Sequence, residues 1–586
     1  MSNDPLRKLC FEASLGRWAK NDAGRQELRE YVRTREVDPN GLYRMQDGKE
    51  RTPLSVAVMH NQVAFARVLL SLEPRAADPN LVLPDGETAL TLAVKHEHHD
   101  CTEMVRVLLA RGADPAQLDP LVDDARLNYT MRYWKKRAHE RAPFDEQLLK
   151  AFALDGLREV EFSVVGEEAA TKQIMDSIIH WRGQPAAREK PLVLWIVGAP
   201  GHGKTVFSRN LAKALVGEDH FQFVAMGGIK SDKDLFGFQW ANQGDDGIIT
   251  AFLAKHQQQY TVVMLDEIEK AGDVTDEGGH GRSKAIFKSF LAPWQEGKLQ
   301  NKGKQGRGGS GGNLKASDSE RNIDCSKCIF ICTTNLTQED IIQFWRDNAP
   351  TDPDRRLKSG ADVRWLHKEL VKKTIEPKIF DFFRSIDGEL QALVRRIDKI
   401  VPFLPLVHEE QVVVADMELR KYFNDYREPP VMPGEAKDGK ESRLAGNLLI
   451  RHTEDVAKLC RCDYDMMQGA SSMQKKVRDV TEPVTTSYLS RDFDEAEEVE
   501  VPAPGRDTAS GPKTVKLRKI WLYVPEDDDE LVEIKLSQPP LRKKAVKATA
   551  ATEPIEANPS GDVIPHGTPH AAAASGSHDD DVPEGF

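Results

Sequence analysis

Hydrophobic and polar positions change their rhythm three times along the chain. Up to about residue 115, short apolar runs alternate with Asp-Pro and Asp-Gly turns, which predicts paired short helices and an all-α first part. From 116 to 159 the composition is charged and aromatic (Tyr129, Tyr133, Trp134, Phe144). Leu148, Leu149, Phe152 and Leu154 can share one face there, the pattern of a helical spacer. Between 160 and about 490, continuous apolar runs at 192–197, 261–265 and 328–332 read as strands buried on both faces, the first followed by the helical VFSRNLAKALV. After 491 the chain is acidic and rich in small residues, the composition of a largely disordered tail. Within it, 515–524 and 530–536 are strand-like around the acidic turn Glu526 to Asp529, so 514–537 is either a hairpin on the body or a docking segment.

The first part carries an internal repeat. DGKERTPLSVAVMHNQVAFARVLL at 47–70 is echoed by DGETALTLAVKHEHHDCTEMVRVLL at 85–109, with Thr52 and Thr88 36 residues apart. Asp38-Pro39-Asn40, Asp78-Pro79-Asn80 and Asp114-Pro115 recur where each unit turns. The frame of turn, Thr-x-Leu, helix and second helix resembles ankyrin repeats, whose period is about 33 residues. Two units are recognisable, with a degenerate helical cap at 5–40. A solenoid of this kind implies a protein-contact surface, for substrates or adaptors, and it holds no catalytic cluster.

Composition narrows the classes. The 586 residues are 30% charged and 40% apolar with no run of 18 apolar residues, so a membrane-spanning role is not expected. A net charge of -12 argues against wholesale nucleic-acid binding. Seven cysteines without a regular framework fit a reducing compartment, and the start MSNDPLRKLC has no signal-like core; cytoplasm or nucleus is the expectation.

The candidate chemistry lies in the α/β part. Gly198, Ala199, Pro200, Gly201, His202, Gly203, Lys204 and Thr205 form a complete GxxxxGK[ST] between a strand and a helix that continues with Val206. Glycines let main-chain N–H groups converge on phosphates, Lys204 can reach the β and γ phosphates, and Thr205 can ligate Mg²⁺. The run at 261–265 ends in Asp266 and Glu267: Asp266 is suited to orienting Mg²⁺ and Glu267 to polarising the attacking water. Cys328 to Thr334 leads to Asn335, which can hold that water or the γ-phosphate, or simply cap the strand.

These pieces resemble the AAA+ ATPases, specifically the Clp family in the form of the second ATPase module of ClpB. LDEIEKA at 265–271 and the stretch from Ala285 to Leu299 are similar to that family's Walker B phrase and the helix after it. The resemblance implies that Val164 and Val165, in Val164-Val165-Gly166-Glu167, lie on the adenine side. It also implies that Arg396, in the phrase running to Leu406, reaches the ATP of a neighbouring subunit, with Arg384 a second candidate. ATP and Mg²⁺ are the cofactors the resemblance implies, and a homo-oligomeric ring, a hexamer by family resemblance, is the implied assembly. Ankyrin repeats before a single such module also resemble the ankyrin-containing ClpB-like branch of animal mitochondria, which keeps a mitochondrial location open.

Three departures stand out. The family's Gly-Tyr-Val-Gly gripping loop is replaced by Leu235 to Gly247, with Phe238 and Trp240 as candidate gripping aromatics or as packing groups. Its Gly-Ala-Arg motif, which implies a γ-phosphate sensor, reads Gly469-Ala470-Ser471 here, with Lys475 and Lys476 one turn along. A Lys/Gly/Ser-rich insertion spans 301–322, and Cys325-x-x-Cys328 is a lone pair too small for zinc. The expected architecture is multidomain: an ankyrin-like solenoid (1–115), helical connector (116–159), large α/β P-loop AAA+ sandwich (160–407), small helical lid (408–490) and acidic tail (491–586). The expected function is ATP-driven remodelling, unfolding or disaggregation of proteins; the alternatives are an ATP-switched scaffold and nucleic-acid remodelling.

Overall fold

The computed structural model describes residues 4–535 except 20, 46, 73, 96–99, 122–125, 141–148, 150, 153, 155, 185–189, 241–242, 273–278, 301–321, 349–359, 425–447, 491–497, 503–513 and 526–531. Phe144 and Leu148, nearly all of the 301–322 insertion and the tail beyond 535 lie outside the described residues.

The solenoid begins with α1 (Pro5–Leu15) and α2 (Asp22–Thr34), followed by the pairs α3 (Pro53–Met59) with α4 (Val63–Leu69) and α5 (Ala89–Lys95) with α6 (Thr102–Ala110). The repeated threonine is a helix cap. Thr52 Oγ1 accepts from Ser55 N at 3.1 Å while Ser55 Oγ accepts from Thr52 N at 2.9 Å, and Pro53 opens the helix where its missing N–H costs nothing. Thr88 and Thr91 repeat the arrangement at 3.3 and 2.9 Å. The Asp-Pro-Asn turns are stitched unit to unit. Asn40 accepts from Asp78 N at 2.7 Å and donates to Ala76 O at 3.2 Å; Asn80 accepts from Asp114 N at 2.8 Å and donates to Gly112 O at 2.9 Å.

The connector supplies α7 (Tyr129–Glu140), whose Trp134 is buried in the same apolar cluster as the solenoid core. That cluster also takes in Phe162 and Val165, from the segment leading into the α/β part, and Val413.

Five parallel strands form the central sheet: β1 (Leu192–Val197), β2 (Phe221–Ala225), β3 (Thr261–Asp266), β4 (Cys328–Thr334) and β5 (Lys399–Pro402), in the spatial order 5-1-4-3-2. β1 and β4 are buried along their whole length, as strands covered on both faces must be. Register sets the site: Thr334 pairs with Val197 and Cys332 with Leu265, so the ends of β1, β3 and β4 finish side by side. α8 (Lys204–Val216) follows β1. Cys325 and Cys328 are packed in the core beside the sheet, and burial pushes the Cys328 thiol up to about 12.

The lid consists of α9 (His408–Asn424), α10 (Glu454–Cys460) and α11 (Ala470–Ser490), but it is not purely helical. A sheet joins it: β6 (Leu448–His452) lies parallel to β8 (Thr514–Tyr523), whose other side pairs with β7 (Glu498–Pro502) and β9 (Glu533–Lys535). Ile520 and Leu522 of β8 are buried with Val456, Ala457 and Met473 of the lid helices. The stretch assigned by composition to the tail therefore supplies strands to the lid. Its apolar residues alternate, and the lid offers the face that buries them.

Candidate nucleotide-binding site

The loop after β1 turns on glycines. Gly201 and Gly203 have φ of +72° and +81°, the left-handed region where a side chain is strained, and a Cβ on Gly201 would lie 1.9 Å from Gln468 O. Lys204 opens α8 with its side chain buried, and its ammonium donates to Gly198 O (2.8 Å), Ala199 O (2.7 Å) and Asn335 Oδ1 (2.8 Å). Burial lowers its pKa to about 8, with the carboxylates of Glu269, Asp266 and Glu267 pulling the other way.

Thr205 Oγ1 donates to Asp266 Oδ1 at 2.9 Å, so the end of β3 and the start of α8 present a hydroxyl and a carboxylate together. Hard oxygen donors beside a phosphate-binding loop suit Mg²⁺, which is held by one or two protein groups together with phosphates and water. Thr333 is the hinge between the two acids: its hydroxyl donates to Asp266 Oδ1 at 2.6 Å and accepts from Glu267 N at 3.0 Å. Glu267 itself sits in a left-handed turn, φ +53°, with its carboxylate 2.9 Å from Lys270 Nζ, whose pKa that hydrogen bond raises. Asn335 touches both sides of the site, accepting from Lys204 through its side chain and donating its N–H to Glu269 Oε1 at 3.0 Å.

The phosphate loop is clasped by the lid. Ala470 N donates to Gly201 O at 3.1 Å, and Ser471 Oγ is 3.0 Å from where a Gly201 Cβ would be. Tyr464 OH accepts from Leu406 N at 2.9 Å and lies 3.2 Å from His202 Nε2, while His202 Nδ1 is 3.0 and 3.2 Å from Pro200 O and Ala199 O. A Nδ1–H tautomer satisfies all of these at once, with Tyr464 donating to Nε2. Of the two lysines after Ser471, Lys475 follows it by one helical turn and is exposed, whereas Lys476 lies near Cys460, where its charge only partly offsets the burial that raises that thiol's pKa.

The remaining candidates are more dispersed. Val206 is exposed on the first turn of α8, and Val164 borders the loop, its Cγ1 3.7 Å from the position of a Gly203 Cβ. Val165 turns its side chain into the solenoid core, so it can offer a nucleotide only main chain. Arg396 precedes β5, at the sheet edge opposite its own phosphate loop, where it donates to Ala392 O and Gln295 Oε1. Arg384 is exposed on the last turn of the helix Glu376–Ile386. Phe238–Trp240 pairs antiparallel with Gln243–Asp245, a backbone hairpin whose base is pinched by Gly237 and Gly247. Thr333, Glu269, Lys270 and Tyr464 were not singled out by the motifs. Thr333 had a signal, being the hydroxyl residue two places before Asn335 on a strand adjacent to Asp266; Tyr464 had none.

Residues 190–385 match the family model of the AAA domain (Cdc48 subfamily), and residues 24–119 match that of ankyrin repeats in three copies. The matched segments are those of an AAA domain preceded by ankyrin repeats, in the order in which the fold places them. The chain is homologous to the mitochondrial disaggregase of Rattus norvegicus, 22% identical over 423 residues that cover 69% of this chain and 55% of the relative. It is 23% identical to the mitochondrial disaggregase of Homo sapiens over 432 residues, covering 69% and 53%. To the chaperone protein ClpB of Chlamydia caviae it is 25% identical over 267 residues, covering 45% and 26%. The chain spans about half the length of the mitochondrial relatives it matches. Among the described residues, no helix is long and apolar enough to cross a membrane.

Proposed function

We propose that the chain is a Mg²⁺-dependent ATPase that assembles into a ring, in its hexameric form by analogy with Clp proteins, and uses hydrolysis to remodel or disaggregate proteins engaged by its ankyrin repeats. The observation that carries the reading is the meeting of Lys204, Thr205, Asp266, Glu267 and Asn335 at one sheet edge, linked by hydrogen bonds among themselves and to Thr333. Lys204 and the loop N–H groups would bind phosphate, Thr205 and Asp266 would hold Mg²⁺, whose bound charge would offset that of the phosphates, and Glu267 would take the proton of the attacking water. For that, Glu267 exchanges Lys270 for water. Arg396, placed before β5 and bonded to Ala392 O and Gln295 rather than to its own loop, is the group that would serve a neighbour's site. The names of the homologues favour a mitochondrial location over the cytoplasm or nucleus expected from the N-terminus.

ATP turnover with an unfolded protein, a folded partner or nucleic acid added, together with mass measured with and without ATP, tests the reading. Stimulation by unfolded protein in an ATP-dependent oligomer is expected; absence of turnover, or only monomers across a wide concentration range, refutes it. Glu267→Gln should keep ATP affinity while nearly abolishing turnover, since the phosphate and Mg²⁺ contacts remain. A second reading, an ATP-switched scaffold, draws on Ser471, which offers no positive charge where the lid meets the phosphate loop. It forecasts ATP-dependent assembly without stimulation by substrate.

A further inference from the structure

The segment bordering the phosphate loop is built on the connector and solenoid. Tyr133 OH of α7 accepts from Gly166 N at 2.9 Å, and Arg137 donates to Val164 O at 3.0 Å; both side chains are buried. Immediately after these two bonds the chain makes an uncommon turn, with Gly166 at φ +72° and Glu167 at φ +60°. A side chain at Gly166 would be strained by that φ, and its Cβ would fall 2.8 to 2.9 Å from the Glu410 carboxylate of α9, which would have to shift. The far end is pinned to the chain just after β5, where Glu167 Oε1 accepts from Leu404 N at 2.9 Å.

The same segment hangs from the solenoid. Phe162 and Val165 are buried in the solenoid's cluster, and Phe162 meets Trp134 with ring centroids 5.7 Å apart. Arg106 of α6 donates to Phe162 O, and Arg111 and Arg67 pair with Glu159 at 2.6 and 3.3 Å. A buried guanidinium is a costly way to fill space; that of Arg137 fixes the Val164 carbonyl, with the Glu168 carboxylate 3.7 Å away to offset its charge.

We infer that Tyr133 and Arg137 are positioning residues for the nucleotide's base, holding the main chain of 164–166 in the shape against which the base packs and so tying base binding to the ankyrin solenoid. The inference rests on the nucleotide reading above. Phosphates occupy the glycine loop, and Val164 is the apolar, partly exposed group bordering that loop. The base is therefore held by a wall whose shape α7 sets. A partner that strains the solenoid changes ATP affinity through that wall without touching the phosphate ligands.

The test uses the full chain with Mg²⁺ and compares titrations of ATP with those of inorganic tripolyphosphate, which lacks a base. The wild type should bind ATP more tightly than tripolyphosphate. Tyr133→Phe, which leaves Gly166 N–H without its acceptor, and Arg137→Met should each weaken ATP about tenfold and leave tripolyphosphate unchanged. Unchanged ATP affinity in the folded variants overturns the inference, as does equal weakening of both ligands, the mark of a merely structural role. A wild type that binds neither ligand instead refutes the nucleotide reading itself. Hydrogen exchange on the wild type gives a second arm should the variants fail to fold: peptides covering 129–140 and 157–167 should gain protection with ATP beyond that with tripolyphosphate, and equal protection overturns the proposal.

Discussion

Replacing Thr333 by Val removes one hydroxyl, keeps the shape, and breaks the joint between the two acids of the site. Thr333 is 1% exposed, so water cannot take over its bonds. Two are lost: the 2.6 Å donation to Asp266 Oδ1 and the 3.0 Å acceptance from Glu267 N. A hydrogen bond to a charged group is worth about 1.5–3 kcal/mol, and an unpaired buried N–H costs about 1–3 kcal/mol. If about half of this total of roughly 2.5–6 kcal/mol is expressed as misplacement of Glu267 and Asp266 at the moment of hydrolysis, turnover falls about 10- to 100-fold. Lys204 and the loop are untouched, so ATP affinity should change by less than about threefold. Steady-state ATP hydrolysis, nucleotide titration and urea unfolding on the same protein separate these effects, and Thr333→Ser should restore turnover. A folded Val variant that binds ATP and turns over within threefold of wild type would show that the acids do not depend on this hydroxyl.

Other outcomes follow from particular contacts. Asp416 of α9 is buried and accepts from Arg420 Nε (2.8 Å), His452 Nε2 (2.7 Å) and Thr130 of the connector, while Arg420 also reaches Asp100 of the solenoid at 3.3 Å. Burial alone would raise its pKa, but Arg420 and His452 outweigh that and hold it far below the usual carboxylate range. Asp416→Asn should cost about 3–5 kcal/mol in urea unfolding at pH 7. A depressed carboxylate stabilises fully above its unfolded value near 4, so this gap should narrow as pH falls below about 4; a constant gap would contradict the charge argument. Tyr464→Phe should destabilise the protein by about 1–3 kcal/mol and weaken ATP binding, because Leu406 N–H and His202 Nε2 both lose the Tyr464 hydroxyl; unchanged unfolding and affinity would reject the clasp. Mixing Arg396→Ala with Glu267→Gln subunits should recover turnover above that of either alone, and abolition by Arg384→Ala but not Arg396→Ala would move the finger to the exposed helix end.

Much of the candidate site was legible in the chain itself because its pieces are local. A glycine loop between strand and helix, and two acids closing an apolar run, carry their geometry within a few residues, and parallel pairing of buried strands brings their ends to one edge. The ankyrin frame was legible for the same reason, since Thr52 with Ser55 and Thr88 with Thr91 are caps complete within one turn. Long-range placement was not. That Thr333 stands between Asp266 and Glu267 depends on the register of β4 against β3, and that β8 completes the lid depends on which face was left to cover Ile520 and Leu522. The contacts of Tyr133 and Arg137 with 164–166, and of Asp416 with Thr130, join residues tens to hundreds of positions apart, and helical periodicity in α7 says only that a face is buried, not against what. Sequence determined the groups that can do chemistry because local backbone conformation presents them. Tertiary structure decided what orients them, because a buried hydrogen bond needs a partner that only the packed chain brings within reach.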